Sequence, residues 1–580
     1  MYLGEDDIAR IEHYWDCASW HDEREYDELM HRGVPSRRAL PKGDRPVTTE
    51  SMRKRHITEL VPEGVVVAVV YLCAQGLMFL NKGIFWDDWV WYRQPWAVLT
   101  DMSRQLGSLW PGWTLAAPYQ SELSIWVARI IAAACYLLAS LWFLGILRRL
   151  GVDRRTRLVM ALFFAVFPVN GARIPIATAA YGVSLALFVG GTRLVVASME
   201  RSSPWLRAAA AIALLLSLRT SSFGVLFPVV WGYVIWFEGL LRSPRKWPAL
   251  ALRHAELLLV PLAYVVLRAF VLIPSGVYDE YNTINFAKVI VGIEKVPQAL
   301  QLSLGAPSML GIGRMAGAGA LAAALVVFAL VFFSRGHDDA GMSRREAAWA
   351  TAAGLAAVVV ALLPYLFVGK LPALDDFSSR HQLLVPFGAA LTLGGGLRFF
   401  FGQTRNATIA MLAVASLLIG GFVVADITNN VSYLRERYKD IAMMEEMRIQ
   451  PEFRSATTFT FVDRASDLNA NRRTLVRAYE YAGMMAETFG DQTRFGAGES
   501  EYSRTGMARY RMQFTTMYKM GAYVQRPVQY HVDVVSGPLG LERSSTVLRL
   551  LAVDLFKPAE LRAATKGAIL LQSHPAGSNN

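Results

Sequence analysis

Asp87 and Asp88 are neighbouring carboxylates within Asn81-Lys-Gly-Ile-Phe-Trp-Asp-Asp-Trp-Val-Trp-Tyr92. The stretch follows the first apolar run long enough to cross a membrane, so two acids stand where a helix leaves the bilayer. Aromatics such as Trp86, Trp89, Trp91 and Tyr92 are ordinary at such a boundary, but a paired acid is not something the boundary needs. A carboxylate there can deprotonate a hydroxyl, coordinate a divalent cation, or hydrogen-bond sugar hydroxyls. Two adjacent acids in low-dielectric surroundings also push their proton affinities apart, which suits acid–base work. The plainer alternative is a pair of loop acids capping the helix that follows. The position after the first span, inside an aromatic cluster, favours chemistry.

Misplaced arginine is the second signal. Arg129, Arg173, Arg219, Arg268 and Arg380 fall at or near the outer ends of apolar runs. A charge at mid-bilayer costs about 2.5–3.5 kcal/mol on insertion scales, so such residues serve a function or snorkel to the headgroups. Several converging on one surface can hold a phosphate, which a guanidinium grips in bidentate fashion. Arg173 lies in Phe167-Pro-Val-Asn-Gly-Ala-Arg-Ile-Pro175, a segment broken by Pro and Gly. Arg380 lies in Asp375-Asp-Phe-Ser-Ser-Arg-His-Gln382, where His381 can also carry a proton near neutral pH. Asp279 and Glu280, in Val277-Tyr-Asp-Glu-Tyr281, form a weaker candidate pair for substrate binding.

These residues must be positioned by a polytopic membrane scaffold. Of the 580 residues 53% are hydrophobic and 18% charged, with a mean hydropathy of +0.29. Soluble chains carry about 25% charged residues. A formal net charge of +12 can signal nucleic acid, but Arg and Lys sit in short loops between apolar runs. That distribution follows the positive-inside rule and excludes a basic nucleic-acid groove. Spans are expected near 61–80, 124–147, 157–173, 179–199, 206–221, 222–241, 255–273, 315–334, 347–368, 382–401 and 407–425. Basic clusters such as Arg53-Lys-Arg55 and Arg148-Arg149 then alternate with the acidic pairs, placing the N-terminus in the cytoplasm and residues 426–580 outside. The first span is no cleavable signal, because it starts some 60 residues in.

The domain plan that follows has a cytoplasmic tail at 1–60, with a helix around 5–31. A transmembrane domain at 61–425 carries long outer loops at 81–122 and 274–314, and an outer domain occupies 426–580. An amphipathic stretch at 96–106 suits the membrane interface. The outer domain is expected to be a small α/β unit with its own core: a polar helix to about 447, a strand at 457–462, a helix at 471–489, and strands near 527–535 and 545–556. None of the three cysteines falls in it, and no zinc-type spacing occurs. The fold class is thus an all-α polytopic membrane protein of about eleven spans with a small extracytoplasmic α/β domain.

An acidic motif in the first outer loop, a cytoplasmic N-terminus, about eleven spans and an outer C-terminal domain resemble the GT-C superfamily of integral-membrane glycosyltransferases. The chain looks most similar to its GtrII-like glucosyltransferase and protein mannosyltransferase-like groups, over roughly residues 57–425. The resemblance implies a polyprenyl-phosphate-linked sugar donor, an inverting transfer on the outer face, and catalysis by a first-loop acid, here Asp87 or Asp88. It also implies that Arg173 and Arg380 hold the donor phosphate, while Trp86 and Trp89 stack on sugar faces or seat the loop. A divalent cation (Mg or Mn) stays open, since members with and without one exist. The acceptor would be a cell-envelope glycan, lipid or protein. Lack of outer cysteines, short loops and Ala/Arg richness favour a bacterial inner membrane. A polyprenyl-linked glycan polymerase or ligase is one alternative, and a lipid or glycan transporter is another.

Overall fold

The computed structural model describes residues 61–577, apart from 239–242, 280–283, 285, 336–340, 375–376 and 504–518. The expected tail, with its helix around 5–31, lies outside the described residues, as do Glu280, Asp375 and Asp376.

Apolar helices dominate the first two thirds. They are α1 (Glu63–Leu80), α4 (Glu122–Arg149), α5 (Arg154–Val166), α6 (Ala179–Arg201), α7 (Pro204–Ser217) and α8 (Phe227–Phe237). After these come α9 (Trp247–Arg253), α10 (Glu256–Phe270), α11 (Val296–Arg314), α12 (Ala318–Phe332), α13 (Arg344–Leu366), α14 (Val385–Phe401) and α15 (Arg405–Ile449). Short α2 (Asp88–Trp91) and amphipathic α3 (Trp96–Gln105) lie between α1 and α4. Five helices are long and apolar enough to cross a membrane, or seven if the bent pairs α9–α10 and α11–α12 each count once. That makes this a membrane protein. The expected eleven is not confirmed: α5, α7, α8 and α14 have 17 residues or fewer, and α9–α10 and α11–α12 bend by 67° and 102°.

Two elements depart from their expected bounds for evident reasons. α5 stops at Val166, before Pro168, which cannot continue a helix. Every α5 residue except Arg155 is buried: the run from Leu158 to Val166 is apolar all round and enclosed by its neighbours, and in the polar first turn Arg157 pairs with Glu63. α15 runs 45 residues without a break, about 67 Å at 1.5 Å per residue, over twice a bilayer's hydrocarbon thickness. The expected last span and the polar helix after it are therefore one rod. α13 packs on α14 through Gly354 and Gly388: a Cβ on Gly354 would lie 2.7 Å from Gly388 O. Small residues buy such close approach where water supplies no driving force.

Beyond α15 stands a four-stranded sheet in the order β4-β3-β5-β6, comprising β3 (Thr458–Asp463), β4 (Phe495–Gly498), β5 (Tyr530–Ser536) and β6 (Ile569–Pro575). β3 is parallel to both neighbours, and β6 runs antiparallel to β5. A small pairing of β1 (Val61–Pro62) with β2 (Ser334–Arg335) closes the other end of the bundle. The strand expected at 545–556 is instead helix α17 (Ser544–Phe556), which buries Val547, Leu550, Leu551 and Asp554 at helical spacing. The helix expected from 471 begins at Ala478, as α16 (Ala478–Phe489).

The sheet does not have a core to itself. Trp89, Tyr92 and Tyr119 of the 81–122 loop share one apolar cluster with Leu434 of α15 and with Phe461 and Tyr481 beyond it. Trp89 packs on α16 so closely that a Cβ on Gly483 would lie 2.9 Å from its ring. Gly483→Ala is therefore expected to lower stability by about 1–3 kcal/mol, measured as a fall in Tm in detergent, because Trp89 has nowhere to withdraw.

Candidate functional site

The chain leaves α1 at Leu80 and reaches α2 through Trp86, whose φ of 51° is a left-handed conformation costly for a bulky residue. Surrounding contacts hold that conformation. The Trp86 ring is 2% exposed and meets Phe377 edge-on at 4.7 Å, Tyr433 at 5.8 Å, and the Arg473 guanidinium at 5.5 Å. Trp89 is equally buried, so neither ring offers a face to a sugar. Both rings are packed against protein on the described side of the loop.

The turn sends the two acids in opposite directions. Asp88 is fully buried. Its Oδ1 accepts from Ala177 N–H at 2.8 Å and Tyr119 Oη at 3.1 Å, and its Oδ2 from Ile176 N–H at 2.9 Å. It thus caps the turn leading into α6, eighty-eight residues downstream, rather than the helix it begins. Arg129, also fully buried, lies beside it and binds the carbonyls of Asn81, Gly83 and Ile174, pinning the loop's start. Burial pushes the Asp88 carboxyl up to about 6, against the pull of Arg129 and these donors. With every lone pair turned to protein, Asp88 has no free edge for a substrate. What the described contacts show of Asp88 is an anchor that ties the first loop to the entry of α6.

Asp87 is half-buried and keeps an open edge. Its one described hydrogen bond comes from Tyr479 Oη to Oδ1, at 2.8 Å. Burial raises its carboxyl above the ordinary value, while Arg380, the Tyr479 hydroxyl and Arg477 pull it down and Glu480 pushes it up.

Arg380 sits on the turn Phe377–Gln382, half-buried, with its guanidinium 3.7 Å from the Phe377 ring centre. Lys370 lies within electrostatic reach of it, and burial together with Arg380 lowers its ammonium to about 8. His381 is buried against Tyr365, at 5.0 Å between rings. Burial, Arg380 and Lys370 drive its imidazole down to about 3, so it is neutral at physiological pH. Its Nδ1 is buried without a hydrogen-bond partner.

Arg173 is brought near but not into the open. Ala172 N–H donates to Ser379 Oγ at 2.8 Å, tying its turn to that of Arg380. The guanidinium itself is 6% exposed, donates to Asn170 O at 2.8 Å, and borders a cavity of about 20 Å³ walled by Tyr136, Phe164 and Leu383. That space suits one water and not a phosphate. Arg268 caps the Leu106, Gly107 and Leu272 carbonyls, and the Arg219 guanidinium lies 5.3 Å from the Trp110 ring centre with its Nε buried and without a hydrogen-bond partner. Asp279 stands exposed after a turn fastened to α3 through Ser275 N–H to Gln105 O. The contacts that build the Asp87 site come from elsewhere.

The sequence reading missed three participants. Lys370 was legible as a cation at the end of α13 where the positive-inside pattern predicts few. Tyr479 carried no local signal. Arg473, bonded to Glu436 and to Glu480 (2.6 Å), fixes the start of α16 from below. Among the described residues no three His, Cys, Asp or Glu are arranged to hold a metal ion, and two of the charges around Asp87 are cationic, so these residues do not fit a divalent cation. What the arrangement can do is accept a proton at Asp87 next to a site for an anion. The chain matches no protein-family model and no curated protein.

Proposed function

We propose that the protein is a membrane glycosyltransferase of GT-C type, moving a sugar from a polyprenyl-phosphate donor to a hydroxyl of a cell-envelope glycan, lipid or protein on the outer face. The observation that carries this reading is the half-open carboxylate of Asp87, set beside Arg380 where α1 leaves the bundle. Arg380 and Lys370 hold the donor phosphate, in place of the enclosed Arg173. The acceptor oxygen attacks the anomeric carbon from the face opposite the phosphate while Asp87 takes its proton. The anomeric carbon–oxygen bond breaks, its electron pair leaves with the lipid phosphate, and configuration inverts. No step calls for a metal.

The test is transfer of label from a radiolabelled polyprenyl-phosphate sugar in membranes, wild type against Asp87→Asn at equal expression. Transfer that survives in the variant would sink this reading and bring polymerisation, ligation or transport forward. Arg380→Gln is expected to raise the KM for the donor about 10–100-fold with a smaller change in kcat. A charge-assisted hydrogen bond to phosphate contributes about 1.5–3 kcal/mol to binding.

A further inference from the structure

Asp87 is held by a residue 392 positions along the chain. Tyr479 lies in the first turn of α16, and every feature of that turn fixes where its hydroxyl points. Glu480 accepts from Arg477 N–H at 2.8 Å and from both terminal nitrogens of Arg473. Arg473 in turn bonds Glu436 on α15. Further along α16, Gly483 receives the Trp89 ring, so the helix and the Asp87 loop are locked on both sides of the contact. The groups facing Asp87 are Arg380 from the Phe377–Gln382 turn, and Arg477, Tyr479 and Glu480 from the outer domain, with Tyr119 also within electrostatic range. Only Tyr479 donates a described hydrogen bond.

We propose that the outer domain is a working half of the site: Tyr479 is a positioning residue that orients the Asp87 carboxylate and stabilises its ionised form. This rests on the reading of Asp87 as the base, but its structural content does not require a glycosyl donor. A phenol donating to one carboxylate oxygen leaves the other to receive the acceptor's proton. It also favours the charged form over the neutral one. An outer domain that merely selected acceptors would have no reason to touch the base.

The experiment reads the two ideas separately. Carbodiimides modify protonated carboxyls, so peptide-resolved mass spectrometry of the full-length protein, treated across a pH series, gives the pH of half-labelling at Asp87. Asp87→Asn identifies the labelled peptide. In Tyr479→Phe the half-labelling pH is expected to rise by about one pH unit, and the acid limb of kcat/KM for transfer should move with it. Tyr479→His keeps a donor and should return both toward wild type, which also covers the case in which the Phe variant folds poorly. The same half-labelling pH in wild type and variants would overturn the proposal, even with Asp87→Asn inactive. A raised half-labelling pH with transfer indifferent to Asp87→Asn would leave Tyr479 as the positioner of Asp87 and remove the transferase reading instead.

Discussion

Asp88→Asn is expected to destabilise the protein by about 3–5 kcal/mol, the usual cost of removing one partner from a buried charge pair. The change is nearly isosteric, so the loss is electrostatic. Asp88 accepts hydrogen bonds from the Ile176 and Ala177 amides and the Tyr119 hydroxyl. Whichever way an asparagine turned, its amide nitrogen would face donors, and the nearby Arg129 would lose its buried counter-charge. Arg129 also holds the Asn81, Gly83 and Ile174 carbonyls, so the disturbance should reach both the loop and the entry to α6. The measurement is Tm in detergent, with expression level as a companion. An Asp88→Asn protein as stable as wild type would show that the cap contributes little.

Asp87→Asn should do the opposite, leaving Tm near wild type while transfer falls by about 10²–10⁴-fold, the range that a positioned general base supplies. Asp87 is half-buried, and its one described hydrogen bond, from Tyr479, can be taken up by the amide oxygen. The pH dependence has a definite sign. A base works ionised, and burial holds the Asp87 carboxyl above its ordinary value, so activity should decline on acidification before an ordinary carboxylate would protonate. Because the folded state raises that affinity for protons, protonation of Asp87 favours folding on the acid side of its titration. Loss of rate there should therefore not be accompanied by loss of fold from this group. Parallel collapse of Tm and activity in Asp87→Asn would mark the residue as structural.

The adjacency that drew attention to Asp87 and Asp88 was visible in the chain, but their division of labour was not. The local pattern offered a cap on the helix that follows. The cap is real, yet the donors it serves are Ile176 and Ala177, which no spacing in the first loop announces. The same holds for arginine. Arg129, Arg173, Arg268 and Arg380 look alike in sequence, each near the end of an apolar run. Packing decides that Arg129 and Arg268 bind carbonyls, that Arg173 faces a cavity fit for one water, and that Arg380 lies within electrostatic range of Asp87. For residues 545–556, β-branched and apolar content outweighed the helical spacing of Val547, Leu550, Leu551 and Asp554, and strand was expected where α17 forms.

Hydropathy by itself determined that this is a membrane protein and where its longest apolar helices lie. Burying apolar surface and satisfying backbone polar groups within a bilayer depend on composition over some twenty residues, which a chain displays openly. Sequence also showed that the acids and arginines crowd toward one class of loop. Only the tertiary structure decided which acid stays open, that α15 carries the bundle's rod directly into the C-terminal domain, and that Tyr479 closes on Asp87. Those outcomes are set by hydrogen bonds and buried charges between segments hundreds of residues apart. Such directional short-range forces leave no periodicity behind for a sequence to reveal.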